Sequence, residues 1–131
     1  MNKLRLILGD QLNINHSWFK ENNSKTTYVL MEVKEETSYV LHHAQKIIAT
    51  FAAMRFFAEQ LQQKGFEVIY FKINDKENEQ SFYQNINKII KEKNIGALQY
   101  LEPDEYRLSI ELKKLESIEN IKVESVDTEH F

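Results

Sequence analysis

The sequence predicts an α/β fold: a three-layer, Rossmann-like sheet of five parallel strands with helices on both faces. Apolar runs of strand length alternate along the chain with stretches of helical periodicity, the pattern of strand–helix–strand units. The first two runs, Leu4 to Leu8 and Tyr28 to Val33, are apolar on successive residues, as in strands covered on both sides. Residues 1–131 contain no repeat, low-complexity stretch or interior linker, so one domain with one core is expected.

The first strand, Leu4 to Leu8, stops at the turn Gly9-Asp10-Gln11-Leu12. Ile14 to Asn22, with Ser17-Trp18-Phe19, reads as a short helix whose aromatics pack on the sheet, and Asn22-Asn23-Ser24 breaks it. Trp18 is expected in the core. Tyr28 to Val33 is the second strand. The longest helix is expected from Tyr39 to Lys64, where Ala44, Ile47, Ile48, Phe51, Met54, Ala58 and Leu61 recur at helical spacing. Phe56 and Phe57 widen its apolar stripe beyond one face, so the helix either lies centrally or is covered by a second domain.

Gly65 supplies a left-handed stop, and Phe66 to Ile73 follows as strand three. After the loop at Asn74-Asp75, Phe82, Ile86, Ile89 and Ile90 mark a helix ending by Asn94-Ile95-Gly96. Ala97 to Leu101 is strand four. Pro103 suits a first helical turn, with Asp104 and Glu105 at the positive end of the dipole. Leu108, Leu112 and Leu115 form the buried face to about Glu116, and Ile121 to Val126 is strand five. Right-handed crossovers follow from the alternation. Of the two common strand orders, 2-1-3-4-5 and 3-2-1-4-5, the second is favoured, with its switch point between strands one and four.

A hydrophobic fraction of 42% beside 28% charged residues is that of a soluble protein. No apolar run approaches the roughly 18 residues of a membrane span. Lys3 and Arg5 sit inside a strand with no cleavage site behind it, which does not read as a signal peptide, and a cytoplasmic location is expected. With 17 basic and 20 acidic side chains the net charge is −3, so the domain lacks the positive excess that drives nucleic-acid binding. The absence of cysteine excludes a thiolate nucleophile, a disulfide and any cysteine-ligated cluster within these residues.

Ligands of open α/β sheets settle beyond the carboxyl ends of the strands. Two loops lie there, Gly9 to Leu12 and Lys34 to Ser38. Neither carries Gly-x-Gly-x-x-Gly, and the chain has no Gly-x-x-x-x-Gly-Lys-Ser/Thr. Asp10, Glu32, Glu35 and Glu36 would repel a phosphate that Lys34 alone could not hold, so a neutral ligand rich in hydroxyl or ring N–H donors fits better. Asp10 reads equally as a turn residue or a ligand contact, and Glu36 as a hydroxyl acceptor, a solvated loop charge or a helix N-terminal acid. Neighbouring His42 and His43 point about 100° apart on a helix and do not suit one metal ion. One of them suits the cleft as a donor or stacking ring, the other a structural role. Gly-x-Ser-x-Gly is absent, as is any pair of carboxylates whose separation spacing fixes, so no catalytic or metal-binding residue is assigned. Arg107, in Glu105-Tyr106-Arg107, reads as half of a structural ion pair.

Several ordered blocks resemble the deoxyribodipyrimidine photolyase-related family, the iron–sulfur bacterial cryptochromes and (6-4) photolyases. They are Leu6-Ile7-Leu8-Gly9-Asp10-Gln11-Leu12, Met31-Glu32-Val33, and Glu36-Thr37-Ser38-Tyr39-Val40 with His42-His43 and Gln45-Lys46-Ile47. Ala53-Met54-Arg55-Phe56-Phe57-Ala58, Pro103-Asp104-Glu105-Tyr106-Arg107-Leu108 and Asp127-Thr128-Glu129-His130-Phe131 continue the series, which covers essentially the whole chain. The resemblance implies an N-terminal antenna domain that holds a light-harvesting pigment, 6,7-dimethyl-8-ribityllumazine. It further implies a C-terminal helical domain, outside this chain, with FAD, a 4Fe–4S cluster and the contacts to damaged DNA. A complete relative would be a photolyase, a lyase, and these residues alone would not be catalytic. Carried over by position, the pigment site comprises Gly9, Asp10 and Gln11 as wall, Glu36 as hydroxyl acceptor, Tyr39 and His43 at the loop-to-helix corner, and Thr50 deeper along the long helix. A light-signalling cryptochrome domain and a nucleotide-binding or docking module of universal-stress type are the alternatives. Oligomeric state is not readable from these residues.

Overall fold

A computed structural model describes residues 2–20, 25–33, 44–103, 106–118 and 120–126. Five strands, β1 (Asn2–Leu6), β2 (Thr26–Met31), β3 (Glu67–Phe71), β4 (Ile95–Leu101) and β5 (Lys122–Val126), form one sheet. Every pairing is parallel and the order is β3-β2-β1-β4-β5, the favoured alternative. The helices are α1 (Ala44–Gln63), α2 (Phe82–Lys93) and α3 (Tyr106–Lys113), the last running into a 3-10 turn, Lys114–Ser117.

Side-chain alternation divides the core in two. Leu4, Leu6, Val29, Met31, Leu98 and Tyr100 point to the face covered by Phe82, Ile86, Ile89 and Ile90 of α2 and Leu108 and Leu112 of α3. Ile7, Tyr28, Leu30 and Leu101 point to the other face, where Met54, Phe57, Ala58 and Leu61 of α1 pack with Trp18. Trp18 is buried, as expected of a core residue, and the Arg5 guanidinium lies 4.9 Å from its ring centre. Over β4 and β5 this second face carries Gln99, Lys122 and Glu124, with Gln99 Nε2 donating to Glu124 Oε2 at 3.4 Å.

Three expectations need correction. The segment from Ile14 forms only a 3-10 turn, Ser17–Phe19. Local side chains compete for its backbone: Asn13 Oδ1 accepts from Asn15 N at 3.0 Å, and His16 Nδ1 accepts from Trp18 N at 3.1 Å. Helix α2 ends by Asn94 as expected, left-handed there at φ 53°, but Ile95 and Gly96 already belong to β4, which was expected only from Ala97. The strands β1 and β2 each start two residues before their expected first residue, because pairing begins at Asn2 with Ile95 and at Lys3 with Thr26. Gly65, at φ 92°, does end α1: Gly65 N donates to Gln62 O and Phe66 N to Leu61 O, both at 3.0 Å. The expected first turn of the long helix, residues 39–43, lies outside the described residues, as do Asp104 and Glu105. No helix among the described residues is long and apolar enough to cross a membrane.

Candidate ligand site at the carboxyl ends of the strands

The chain runs outward from β1 to β2 to β3, then returns to place β4 on the other flank of β1. Loops leaving β1 and β4 therefore diverge, and their carboxyl ends are the switch point where such sheets take ligands. Beyond β1 the chain stays extended through Ile7, whose N–H donates to Val29 O at 3.0 Å, and then turns, with Gln11 N donating to Leu8 O at 3.0 Å. Gly9 and Asp10 occupy the corners of that turn, Gly9 partly exposed and Asp10 exposed.

Gln11 is buried and spans the switch point. Its Nε2 donates to Leu101 O at 3.0 Å and its Oε1 accepts from Leu8 N at 3.3 Å, which ties the ends of β1 and β4 together where the ladder has stopped. Its amide thus braces the floor of the site. Thr50 shares a helical stripe with Met54, Phe57 and Leu61, three of the residues that α1 buries against the sheet, and it lies toward the helix start. Because α1 follows β2, that start lies at the strands' carboxyl ends. Gly9, Asp10, Gln11 and Thr50 are thus at one end of the sheet. Glu36, Tyr39 and His43, like Glu35 and His42, lie outside the described residues, and so does His130. His16 caps the 3-10 turn.

One cluster escaped the sequence reading. Glu32, just past β2, is wholly buried, and its carboxylate takes four donors. Arg55 of α1 donates from Nε to Oε2 at 2.6 Å and from Nη2 to Oε1 at 2.7 Å. The Tyr70 hydroxyl donates to Oε2 at 2.5 Å and Ile73 N to Oε1 at 3.0 Å. Burial works to raise the Glu32 pKa, but the bonds from Arg55, Tyr70 and Ile73 outweigh it and hold the carboxyl below its ordinary range. The Tyr70 hydroxyl is pushed well up by burial and by the neighbouring carboxylate, so it remains protonated and serves as a donor. Arg55 is held more firmly protonated by its bond to Glu32. Glu32 was expected on the acidic rim facing a ligand. With its acceptors filled it is instead a keystone joining β2, β3 and α1. The signal was present in the sequence: a carboxylate on the inward register of Tyr28 and Leu30, in an apolar run, needs a buried partner.

A second polar chain fixes the loop after β3. Asn78 Nδ2 donates to Glu32 O at 2.7 Å, Asn85 Nδ2 donates to Asn78 Oδ1 at 3.0 Å, and Glu79 N donates to Asn85 Oδ1 at 2.9 Å. On the far side, Glu102 N donates to Val126 O at 2.7 Å and Ser109 Oγ donates to the Glu102 carboxylate. The described ends of β2 to β5 are therefore braced by polar contacts, and the β1 turn presents Gly9 and Asp10 on that frame.

Comparison with known proteins shows the family. The sequence model of the family described as deoxyribodipyrimidine photo-lyase-related protein matches residues 5–131. A (6-4) photolyase of Agrobacterium fabrum (strain C58 / ATCC 33970) is 40% identical over 113 residues, which are 86% of this chain and 22% of that protein. The chain therefore spans about a fifth of the length of the relative it matches.

Proposed function

Since the chain belongs to the deoxyribodipyrimidine photolyase-related family, we propose that it is the light-harvesting domain of a photolyase-related flavoprotein of blue-light-dependent DNA repair. The observation that supports this reading is the Gly9–Asp10 turn at the switch point between β1 and β4, braced from below by Gln11 and free of any phosphate-binding glycine motif. A ribityl chain offers hydroxyl donors to acidic acceptors and a lumazine offers a flat ring without phosphate, which suits such a site better than a nucleotide does. The pigment is 6,7-dimethyl-8-ribityllumazine, which when bound absorbs light and passes the excitation to a flavin.

In this reading Gly9, without a side chain, lets the ligand approach the turn. Asp10 and Glu36 accept from hydroxyls, Tyr39 and His43 flank the ring, and Thr50 supplies a hydroxyl from α1. Gln11 acts through the backbone it clamps. The flavin, the 4Fe–4S cluster and contacts to damaged DNA belong to a separate helical part of the longer polypeptide, and the protein works in the cytoplasm.

Adding the lumazine to the purified chain is expected to shift its absorption band, and Glu36→Ala to abolish the shift. Tight ATP binding without lumazine binding would assign the site to a nucleotide module instead. Reversal of (6-4) lesions by the full-length protein under blue light separates repair from signalling.

A further inference from the structure

We propose that the outer face of α1, centred on Ile48, Ala52 and Phe56, is the surface on which the remainder of a longer photolyase-related polypeptide docks. This inference rests on family membership and not on pigment binding.

The inward stripe of α1, Met54, Phe57 and Leu61, already fills the domain core. Ile48 and Phe56 nevertheless stand 67% and 63% exposed, two of the three large hydrophobic side chains exposed among the described residues. Spaced by four, Ile48, Ala52 and Phe56 drift only about 80° around the helix and form one ridge. Single exposed apolar residues are ordinary, whereas an aligned ridge on a helix whose other stripe is buried marks an interaction surface. Beside the ridge lies a groove of about 460 Å³, bordered by Phe51 and Ile73. Arg55 and Glu59, one turn apart, line the same groove, and Arg55 is held in place by Glu32 and Tyr70. The complementary surface is therefore apolar, with an acceptor opposite Arg55 and a donor opposite Glu59.

The occupant follows from length. In the Agrobacterium photolyase the matching segment is 22% of the protein, so its counterpart of this domain shares a chain with several times its own mass. A neighbour tethered in cis is present at a high effective concentration, so a ridge of this modest size suffices to hold it.

The test compares the full-length protein encoded by the gene with the 131-residue chain, each carrying Ile48→Glu with Phe56→Glu. In the short chain, thermal unfolding is expected to be unchanged, because both positions are exposed there. In the full-length protein the same pair is expected to speed proteolytic separation of the two parts by about tenfold or more, through more frequent local opening. Ile110→Glu, on α3, is the control and should change neither. If the double variant does not fold at full length, Phe56→Ser with hydrogen exchange at residues 48–56 reads the same coverage. Equal effects in both lengths, no effect in either, or a gene that stops at Phe131 would overturn the proposal. So would a dimer of the short chain that the double variant dissolves, which would make a second copy the occupant. Lumazine absorbance in the same samples reports on the pigment separately, so either idea can fail alone.

Discussion

Replacing Arg55 by Met should reverse the pH dependence that Glu32 imparts to stability. The Glu32 side chain is fully buried and that of Arg55 is 45% exposed. Removing one partner of a buried pair costs about 3–5 kcal/mol, and partial solvation of Arg55 places this case at the low end, about 3 kcal/mol. With a urea m-value of about 2 kcal/mol/M, the unfolding midpoint should fall by about 1.5 M at pH 7. In the native protein the Glu32 pKa is lowered, so its stabilisation is present above the ordinary carboxylate range and is lost as pH falls through the depressed value. Without Arg55, only the bonds from Tyr70 and Ile73 N oppose burial, which is then expected to dominate and raise that pKa. The variant is then least destabilised below the ordinary range and loses stability as pH rises through the raised value. The cost should therefore be larger at pH 7 than at pH 5, and Glu32→Gln added to Arg55→Met should recover part of it. Urea titrations at both pH values, followed by the emission of the single tryptophan, Trp18, measure this directly. A cost that is equal at the two pH values, or below about 0.5 kcal/mol, would refute the assignment of Glu32 as a buried charge held by Arg55.

Two further substitutions probe the frame of the site. Gln11→Ala leaves Leu101 O and Leu8 N without the amide that joins them and should cost about 1–3 kcal/mol in urea unfolding; a neutral result would remove Gln11 as the clamp of the switch point. Gly65→Ala forces a Cβ into φ 92° and should cost about 1 kcal/mol or more, with Gly65→Asn milder; equal stability of the Ala variant would show that α1 ends without needing a left-handed residue.

The local pattern of apolar residues determined most of the architecture. Buried strands announce themselves as apolar runs, as at β1 and β2, and Val123 and Val126 sufficed to mark β5, so all five were legible, as were the helical stripes of α1, α2 and α3 and the left-handed stop at Gly65. The alternation of strands and helices implied parallel pairing and a switch point beside Gly9 and Asp10, and the ordered blocks indicated the family. Tertiary structure decided what depends on contacts between distant segments. Whether Glu32 faces a ligand or a salt bridge is set by Arg55, 23 positions away, and by Tyr70, 38 positions away. The bond from Gln11 to the backbone of Leu101, 90 positions away, is likewise fixed only in the folded chain. A side chain's polarity is a property of its own residue, but the partner that satisfies it is a property of the folded chain.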